Sequence, residues 1–273
     1  MRNAIRFSTR PRLEEPSLIV AWDQDPGGVG PRAIEHLNKA LNARPFCEIE
    51  PADFFSLKGV EVENDLAVFP DESFYCGDRA DLIMLKATEP EFQPYRFLDT
   101  ILDVAVNHCG VKNVLVVGTC LAHIAHTADR HIFSVSCDRE IVAELAKYDI
   151  VPMTWEGPPA ITTYLIWAAN RRNTPAAGIL PMVPFYLTVT QDLKQVRAVL
   201  SFLGKRFNLR LDLRELDDQI RDQDNTMDRL RQEDPEVDDW IRELELHKDL
   251  AMDHEEEVEL AKRVTEHFRE DEL

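Results

Sequence analysis

Residues 18–30 read Leu18-Ile19-Val20-Ala21-Trp22-Asp23-Gln24-Asp25-Pro26-Gly27-Gly28-Val29-Gly30, and this stretch decides the fold class. A continuous apolar run is followed by a segment rich in turn-forming residues. Pro31 then begins residues 32–41, in which apolar residues recur at helical spacing. A short apolar run is typical of a strand buried on both faces, and proline is favoured in the first turn of a helix. We therefore predict a buried strand, a glycine loop and a helix, in that order.

Outward from this stretch, predicted strands and helices alternate. Apolar runs predict further strands at residues 81–87, 114–117, 131–136 and 176–183. Helical spacing predicts helices at residues 97–106, 140–146, 161–172 and 193–207, and short strands with a hairpin fit residues 47–76. Solidly apolar strands that alternate with helices favour a parallel sheet covered on both faces. The expected fold class is α/β, with a three-layer α/β/α body around a largely parallel or mixed sheet.

Acidic residues are concentrated at one end of the chain. The 273 residues include 31 Lys and Arg against 50 Asp and Glu, a net charge of −19. Residues 212–273 hold 24 acidic and 9 basic residues, a net charge of −15, which leaves −4 for the rest. Narrow apolar stripes among these charges predict surface helices. We expect a body over residues 1–211 and an acidic helical extension over residues 212–273, packed on the body or on a sister subunit with its charges facing solvent.

Charge and composition argue against several classes of function. Nucleic acid is not expected as a partner, because neutralising phosphates needs clustered Lys and Arg, and an anionic membrane surface is disfavoured for the same reason. No apolar run approaches the roughly 20 residues of a membrane helix, and residues 1–13 hold no secretory apolar stretch. The five cysteines lack regular spacing, which fits a reducing compartment. We expect a cytoplasmic protein.

The glycine loop is the first candidate for a ligand site. Gly27, Gly28 and Gly30 follow a predicted strand and precede a predicted helix. Open α/β sheets bind ligands at such points, and a helix N-terminus can hold an anion. However, the spacing matches neither GxGxxG nor GxxxxGK[ST], and no lysine follows directly. A tight structural turn is therefore the favoured interpretation.

A second candidate is the pattern C-x2-H-x2-H-x4-H formed by Cys120, His123, His126 and His131. Zinc sites usually combine one closely spaced ligand pair with a second, well-separated pair, so packed or surface histidines are favoured over a metal. Cys120 could act as a nucleophile if His126 lowered the pKa of its thiol, but a buried, inert cysteine is the commoner case. We expect no metal and no cofactor.

Two acidic residues, Glu89 and Glu156, follow predicted strands or turns. A pair of carboxylates at one cleft could carry out acid–base chemistry. The alternative, which we favour, is that each stabilises the N-terminus of the helix that follows it. The chain has neither a GxSxG nor an HExxH motif, so the common hydrolase mechanisms lack support.

Five short motifs occur in an order that resembles the proteasome assembly chaperone 2 family over nearly the whole chain. They are the Trp22–Gly30 stretch, Ala87-Thr88-Glu89-Pro90, His126-Thr127, Trp155-Glu156-Gly157-Pro158 and Val183-Pro184-Phe185-Tyr186. The resemblance implies a body similar to the fold of purine nucleoside phosphorylases, and assembly into oligomers. If a cleft at the strand C-termini binds a ligand, the candidate residues that line it are Asp23, Gly27, Gly28, Gly30, Glu89, His126, Thr127, Glu156, Gly157 and Tyr186. Eukaryotic members are chaperones of proteasome α-ring assembly, whereas bacterial members have no established activity.

Several positions depart from the family pattern. Compared with the family pattern, Ala87 stands in place of Gly, Ala125 in place of Pro, Ala128 in place of Arg, Pro159-Ala160 in place of Thr-Gly and Phe185 in place of His, so several polar positions of the expected cleft are now apolar or small. These changes weaken the case for a bound anion or nucleoside. The last three residues, Asp271-Glu272-Leu273, lack the hydrophobic–tyrosine–any-residue pattern by which many proteins of this group dock, so we do not expect that docking mode.

Two hypotheses of different classes follow. The first and preferred one is a non-enzymatic, oligomeric protein-binding or assembly factor, whose partners are further copies of itself and another complex such as proteasome subunits. The second is an enzyme or small-ligand binder, in which Asp23, Glu89, His126 and Glu156 face a nucleoside or anion beside the glycine loop. Convergence of these four side chains would separate the two.

Overall fold

A computed structural model describes residues 5–56, 61–63, 66–68, 72–77, 80–154, 156–157, 160–246 and 252–271. Among the residues discussed above, Trp155, Pro158, Pro159, Glu272 and Leu273 lie outside these ranges.

The described residues form twelve strands and eight α-helices. The strands are β1 (Ile5–Phe7), β2 (Ser17–Trp22), β3 (Arg44–Ile49), β4 (Glu61–Glu63), β5 (Leu66–Val68), β6 (Ser73–Cys76), β7 (Leu82–Ala87), β8 (Asn113–Val117), β9 (Cys120–Ala122), β10 (Ile132–Ser136), β11 (Ile150–Pro152) and β12 (Ala176–Pro184). The helices are α1 (Val29–Ala40), α2 (Pro94–Leu102), α3 (Arg139–Leu145), α4 (Ile161–Arg171), α5 (Leu193–Arg206), α6 (Arg214–Glu233), α7 (Pro235–Leu246) and α8 (His254–Asp271).

In the part of the chain that is described, ten strands form one mixed sheet. Its order is β1-β3-β6-β7-β2-β8-β12-β10-β11, with β9 beside β12, and β4 pairs with β5 in a separate hairpin. The central strands β7, β2, β8 and β12 are parallel, whereas β6 and β10 run antiparallel to their neighbours β7 and β12. This arrangement confirms the predicted α/β class, and it brings the carboxyl ends of the central strands to one edge.

Helices cover both faces of the sheet because side chains alternate along each buried strand. In β2, Ile19 and Ala21 pack in the same apolar cluster as α1 and α5. Leu18, Val20 and Trp22 pack in a second cluster with α2 and α4. The two clusters lie on opposite faces, which confirms the three-layer α/β/α arrangement.

The acidic helices α6, α7 and α8 pack on the body of their own chain. Their buried apolar side chains belong to the cluster that contains α1 and α5: Leu216, Met227, Leu230, Val237, Ile241, Leu244, Leu260 and Val264. Ion pairs join the helices to one another, including Arg231 with Asp238 at 2.7 Å and Arg263 with Asp234 at 3.0 Å. One continuous apolar cluster therefore includes residues from both sides of the expected boundary between residues 211 and 212. The division into a body and an extension remains a prediction based on charge.

None of the helices in the described ranges combines the length and the apolar character needed to cross a membrane.

Candidate functional site

A cavity of about 430 Å³ opens at the carboxyl ends of the central strands. Ligands of open α/β sheets typically bind at this edge. Its lining residues come from the ends of β2, β7 and β8, from β10 and β12, and from the start of α4: Trp22, Gln24, Asp25, Pro26, Glu89, Gly118, Thr119, Cys120, Leu121, Val135, Met153, Ala160, Ile161, Thr162, Thr163 and Leu180. Its volume falls within the range of small-molecule sites.

Asp25 is the half-buried carboxyl group of this cavity. The hydroxyl of Thr119 lies 2.7 Å from its Oδ2 and 2.9 Å from the carbonyl oxygen of Pro26. The backbone N–H of Gly30, in the first turn of α1, also donates to Oδ2 at 3.5 Å. Burial raises the pKa of Asp25 to about 7. The hydrogen bonds from Thr119 and Gly30 oppose this shift, and the nearby charge of Glu89 adds to it. Asp25 thus exchanges a proton near neutral pH.

The loop glycines serve the turn that places Asp25. Gly27 and Gly28 have φ values of 72° and 58°, in the left-handed region that favours glycine. Gly30 has an ordinary backbone, but a Cβ there would lie 2.8 Å from the Cβ of Ala21 and 2.9 Å from the carbonyl oxygen of Val117. These contacts support the tight structural turn over a phosphate-binding loop.

The two acidic residues of the second hypothesis that follow β2 and β7 are exposed, and each lies just after the end of one of these neighbouring strands. Exposed Asp23 accepts a hydrogen bond from the Thr88 hydroxyl at 3.3 Å and pairs with Lys86 at 3.6 Å. Exposed Glu89 lines the cavity, and its backbone N–H donates to Gln24 Oε1 at 3.2 Å. Glu156 and Gly157 are exposed beyond β11.

His126, Thr127 and Tyr186 lie elsewhere, under the acidic helices. The buried Tyr186 hydroxyl accepts the His126 backbone N–H at 2.6 Å, and it lies 2.9 Å from His126 Nδ1. Burial lowers the pKa of His126 to about 4. The Thr127 hydroxyl donates to Glu245 of α7 at 2.8 Å.

The members of the cysteine–histidine pattern have different surroundings. Cys120 lines the cavity, whereas His123 binds Glu257 of α8 at 2.7 Å and His131 lies beside the Phe133 ring. Within the described ranges, His, Cys, Asp and Glu side chains form no group of three or more with metal-ligand geometry. Burial raises the pKa of the Cys120 thiol, which disfavours the reactive thiolate.

An exposed aromatic surface on α2 and α4 was not predicted from the sequence. We call Tyr95 of α2, Tyr164 and Trp167 of α4, and Phe92, which precedes α2, the aromatic face. Tyr95 and Trp167 are 55% and 43% exposed, and their rings flank Tyr164 at centroid distances of 5.2 and 6.4 Å. The available signal was that Tyr95 and Trp167 fall outside the buried stripes of α2 and α4.

Asp25 was also missed, although it belongs to the loop that was singled out. Asp23 comes directly after the strand, so sequence position favoured it. The turn at Gly27 and Gly28 instead directs the chain so that Asp25 reaches the first turn of α1. The proximity of an acidic residue to a helix start was the signal that could have identified it.

The fold is shared with solved structures of low sequence identity. A Mycobacterium tuberculosis protein of unknown function is 20% identical, with a TM-score of 0.76 and 90% of each chain covered. PbaB of Pyrococcus furiosus, an archaeal proteasome activator, is 18% identical, with a TM-score of 0.68 and coverage of 83% of this chain and 98% of PbaB. A Mycobacterium tuberculosis proteasome-assembly chaperone homologue is 20% identical, with a TM-score of 0.65 and coverage of 91% and 99%. At these identities the likeness shows the fold.

Sequence comparison identifies the family. No curated protein matches the chain. The model of the PAC2 family matches residues 19–231, well over half of the sequence, and this range includes the glycine loop, the central strands and the aromatic face. The chain belongs to the PAC2 family.

Proposed function

We propose that this protein is a non-enzymatic, oligomeric factor that binds a second copy of itself and assists the assembly of a protein complex such as the proteasome. The observation that carries the proposal is the aromatic face. The descriptions of two similar structures, an archaeal proteasome activator and a proteasome-assembly chaperone homologue, support the class of partner.

The aromatic face has the composition and rigidity of a protein interface. Tyr and Trp are enriched at interfaces, where they bury a large area with few rotatable bonds. Edge-to-face packing fixes Tyr164 between its two neighbours, and the guanidinium of Arg171 lies 4.9 Å from the centroid of the Trp167 ring. Rings that are already ordered lose little conformational entropy on binding.

Charge favours a second copy of the chain as the occupant of this face. Helices α2 and α4 contain Arg96 and Arg171 against a single acidic residue, Asp99. Residues 212–273, with a net charge of −15, belong mostly to helices that pack on the opposite side of the sheet. Two copies therefore meet with least electrostatic repulsion through their aromatic faces.

The catalytic alternative has weaker support. Of Asp23, Glu89, His126 and Glu156, only Glu89 is among the residues that line the cavity in the described structure. His126 is buried against Tyr186 beneath the acidic helices. A binding role is therefore preferred to acid–base catalysis by these four groups.

The test is the oligomeric mass of a variant with Tyr95→Glu and Trp167→Glu, measured by sedimentation velocity over a concentration series. We expect wild type to be an oligomer and the variant to dissociate to monomer, because two buried charges oppose association. Val258→Glu is the matched control, since Val258 is a similarly exposed apolar residue on α8. Circular dichroism verifies that each variant is folded.

An unchanged mass in the folded double variant, or a monomeric wild type, would contradict self-association through this face. Binding of purified proteasome subunits from the source organism, followed by co-sedimentation, tests the partner. If wild type oligomerises without binding these subunits, self-association stands and the proteasome is removed as the partner.

A further inference from the structure

The cavity at the strand C-termini has acidic and apolar walls. Asp25 and Glu89 contribute carboxylates, and none of its described lining residues is Lys, Arg or His. Its apolar lining residues include Leu121, Val135, Met153, Ile161 and Leu180. A ligand of this cavity would therefore meet both negative charge and apolar side chains.

In the glycine loop, the N–H groups of Gly27, Gly28 and Gly30 are already used. The N–H of Gly27 donates to the Thr188 carbonyl at 2.9 Å, and that of Gly28 donates to the Asp25 carbonyl at 3.0 Å. The N–H of Gly30 points to the Asp25 carboxyl group. A side-chain carboxyl thus occupies the place at the start of α1 where an anion would bind, and it would repel one.

The two carboxylates of the cavity are suited to accepting hydrogen bonds. The Asp25 carboxylate has lone pairs beyond those that meet Thr119 and Gly30, and the Glu89 carboxylate lies at the mouth. The ring N–H of Trp22 is directed away to the Thr162 hydroxyl at 3.0 Å. A protonated amine has three donors and no acceptor, so it matches a wall of carboxylates better than a neutral or acidic group does.

We propose that this cavity binds a small organic amine, with the ammonium group on Asp25 and the apolar part between Met153, Ile161 and Leu180. Binding would depend on pH, because the ionised form of Asp25 attracts the cation. The charged or titratable groups that face Asp25 from the neighbouring elements are Glu89, after β7, and Cys120, after β8. Affinity should therefore rise from pH 6 to pH 8, while the pKa of an alkylamine keeps it protonated.

Isothermal titration calorimetry of the full-length protein with 2-phenylethylamine tests the proposal, with 3-phenylpropionate as the anion of similar shape. We expect the amine to bind at pH 8 and the carboxylate to bind at least about tenfold more weakly. Asp25→Asn should weaken amine binding at least about tenfold, as expected for the loss of a charge-assisted hydrogen bond. Asp23→Asn is the matched control, because this exposed carboxylate of the same loop lies outside the cavity lining and should leave affinity unchanged.

Leu180→Trp, which places a larger apolar side chain in the cavity, is a second variant and should abolish binding without removing a charge. Thermal unfolding verifies that each variant is folded. The proposal is overturned if millimolar 2-phenylethylamine, hexylamine and cyclohexylamine all produce no binding heat. It is also overturned if the carboxylate binds as well as the amine, or if folded Asp25→Asn keeps wild-type affinity.

Discussion

At the residue scale, two carboxylates of one loop differ because one is enclosed. Asp23 is exposed and pairs with Lys86, whereas Asp25 is half-buried between Thr119 and the first turn of α1. Sequence could identify the loop but not this difference, since the turn at Gly27 and the position of Thr119 at the end of another strand depend on the folded chain.

The raised pKa of Asp25 makes the stability of the protein depend on pH. Because the folded-state pKa of about 7 exceeds the unfolded value of 3.8, folding binds a proton between these pH values. The stabilisation that comes from this bound proton is fully present below about pH 4 and is lost as the pH rises through 7. Relative to wild type, we expect the free energy of unfolding of Asp25→Asn to increase by about 1–2 kcal/mol between pH 5 and pH 7, allowing for solvent screening. Urea unfolding at each pH measures this difference; a difference independent of pH would contradict it.

Tyr186 has a structural role beneath the acidic helices. Tyr186→Phe would leave the His126 backbone N–H and Nδ1 without their buried partner. We expect a loss of about 1–3 kcal/mol in the free energy of unfolding. Denaturant unfolding measures it, with exposed Tyr95→Phe as the control, for which a change below about 0.5 kcal/mol is expected. Equal effects of the two substitutions would argue against this role.

At the element scale, the central strands and their helices were predictable from sequence, whereas the sheet edges were not. The strands β2, β7, β8 and β12 are mostly apolar along their whole length, so the sequence alone predicts that both of their faces are buried. β1, β9 and β11 are three residues long, too short for any periodicity, and they pair only because a neighbouring strand offers its edge. The cavity could be predicted from the sequence only in part, because some of its lining residues come from β10, β12 and α4, whose positions depend on the folded chain.

The close approach of α1 to the sheet gives a prediction about Gly30. An alanine there would improve helix propensity, but its Cβ would lie under 3.0 Å from Ala21 and from the backbone of Val117. We expect Gly30→Ala to destabilise the protein by about 1–3 kcal/mol through overpacking. Gly110→Ala is the comparison, since Gly110 has a φ of 72° and open space around it, and the backbone cost there is about 1 kcal/mol. Thermal denaturation measures both; a stabilised Gly30→Ala variant would show that α1 can move away.

At the scale of the whole molecule, the distribution of charge separates residues 212–273 from the rest of the sequence, whereas the apolar core includes side chains from both parts. The composition changes near residue 212, and this change predicted the acidic helices α6, α7 and α8. Their apolar stripes, however, complete the same cluster that covers the sheet, which charge alone could not show. We therefore expect the chain to unfold in one cooperative transition.

Leu230 of α6 tests this cooperativity. Leu230 is buried in the shared cluster, so Leu230→Ala should lower the free energy of unfolding by about 2–5 kcal/mol. Differential scanning calorimetry should show one transition moved to lower temperature. Leu246→Ala is the control, because Leu246, at the end of α7, is 77% exposed and should leave the transition in place. A separate early transition in the Leu230 variant would show instead that the acidic helices unfold on their own.

The one-sided position of the acidic helices gives the molecule a permanent electric dipole, with its negative pole on the side of α6, α7 and α8. Two copies that approach through solution turn these poles away from each other, so their encounter presents the aromatic faces first. A partner with a basic surface is attracted to the opposite pole and reaches it at an enhanced rate. If the proposed self-association holds, a sister copy would bind on one side of the molecule, and a partner with a basic surface would be attracted to the other side before contact.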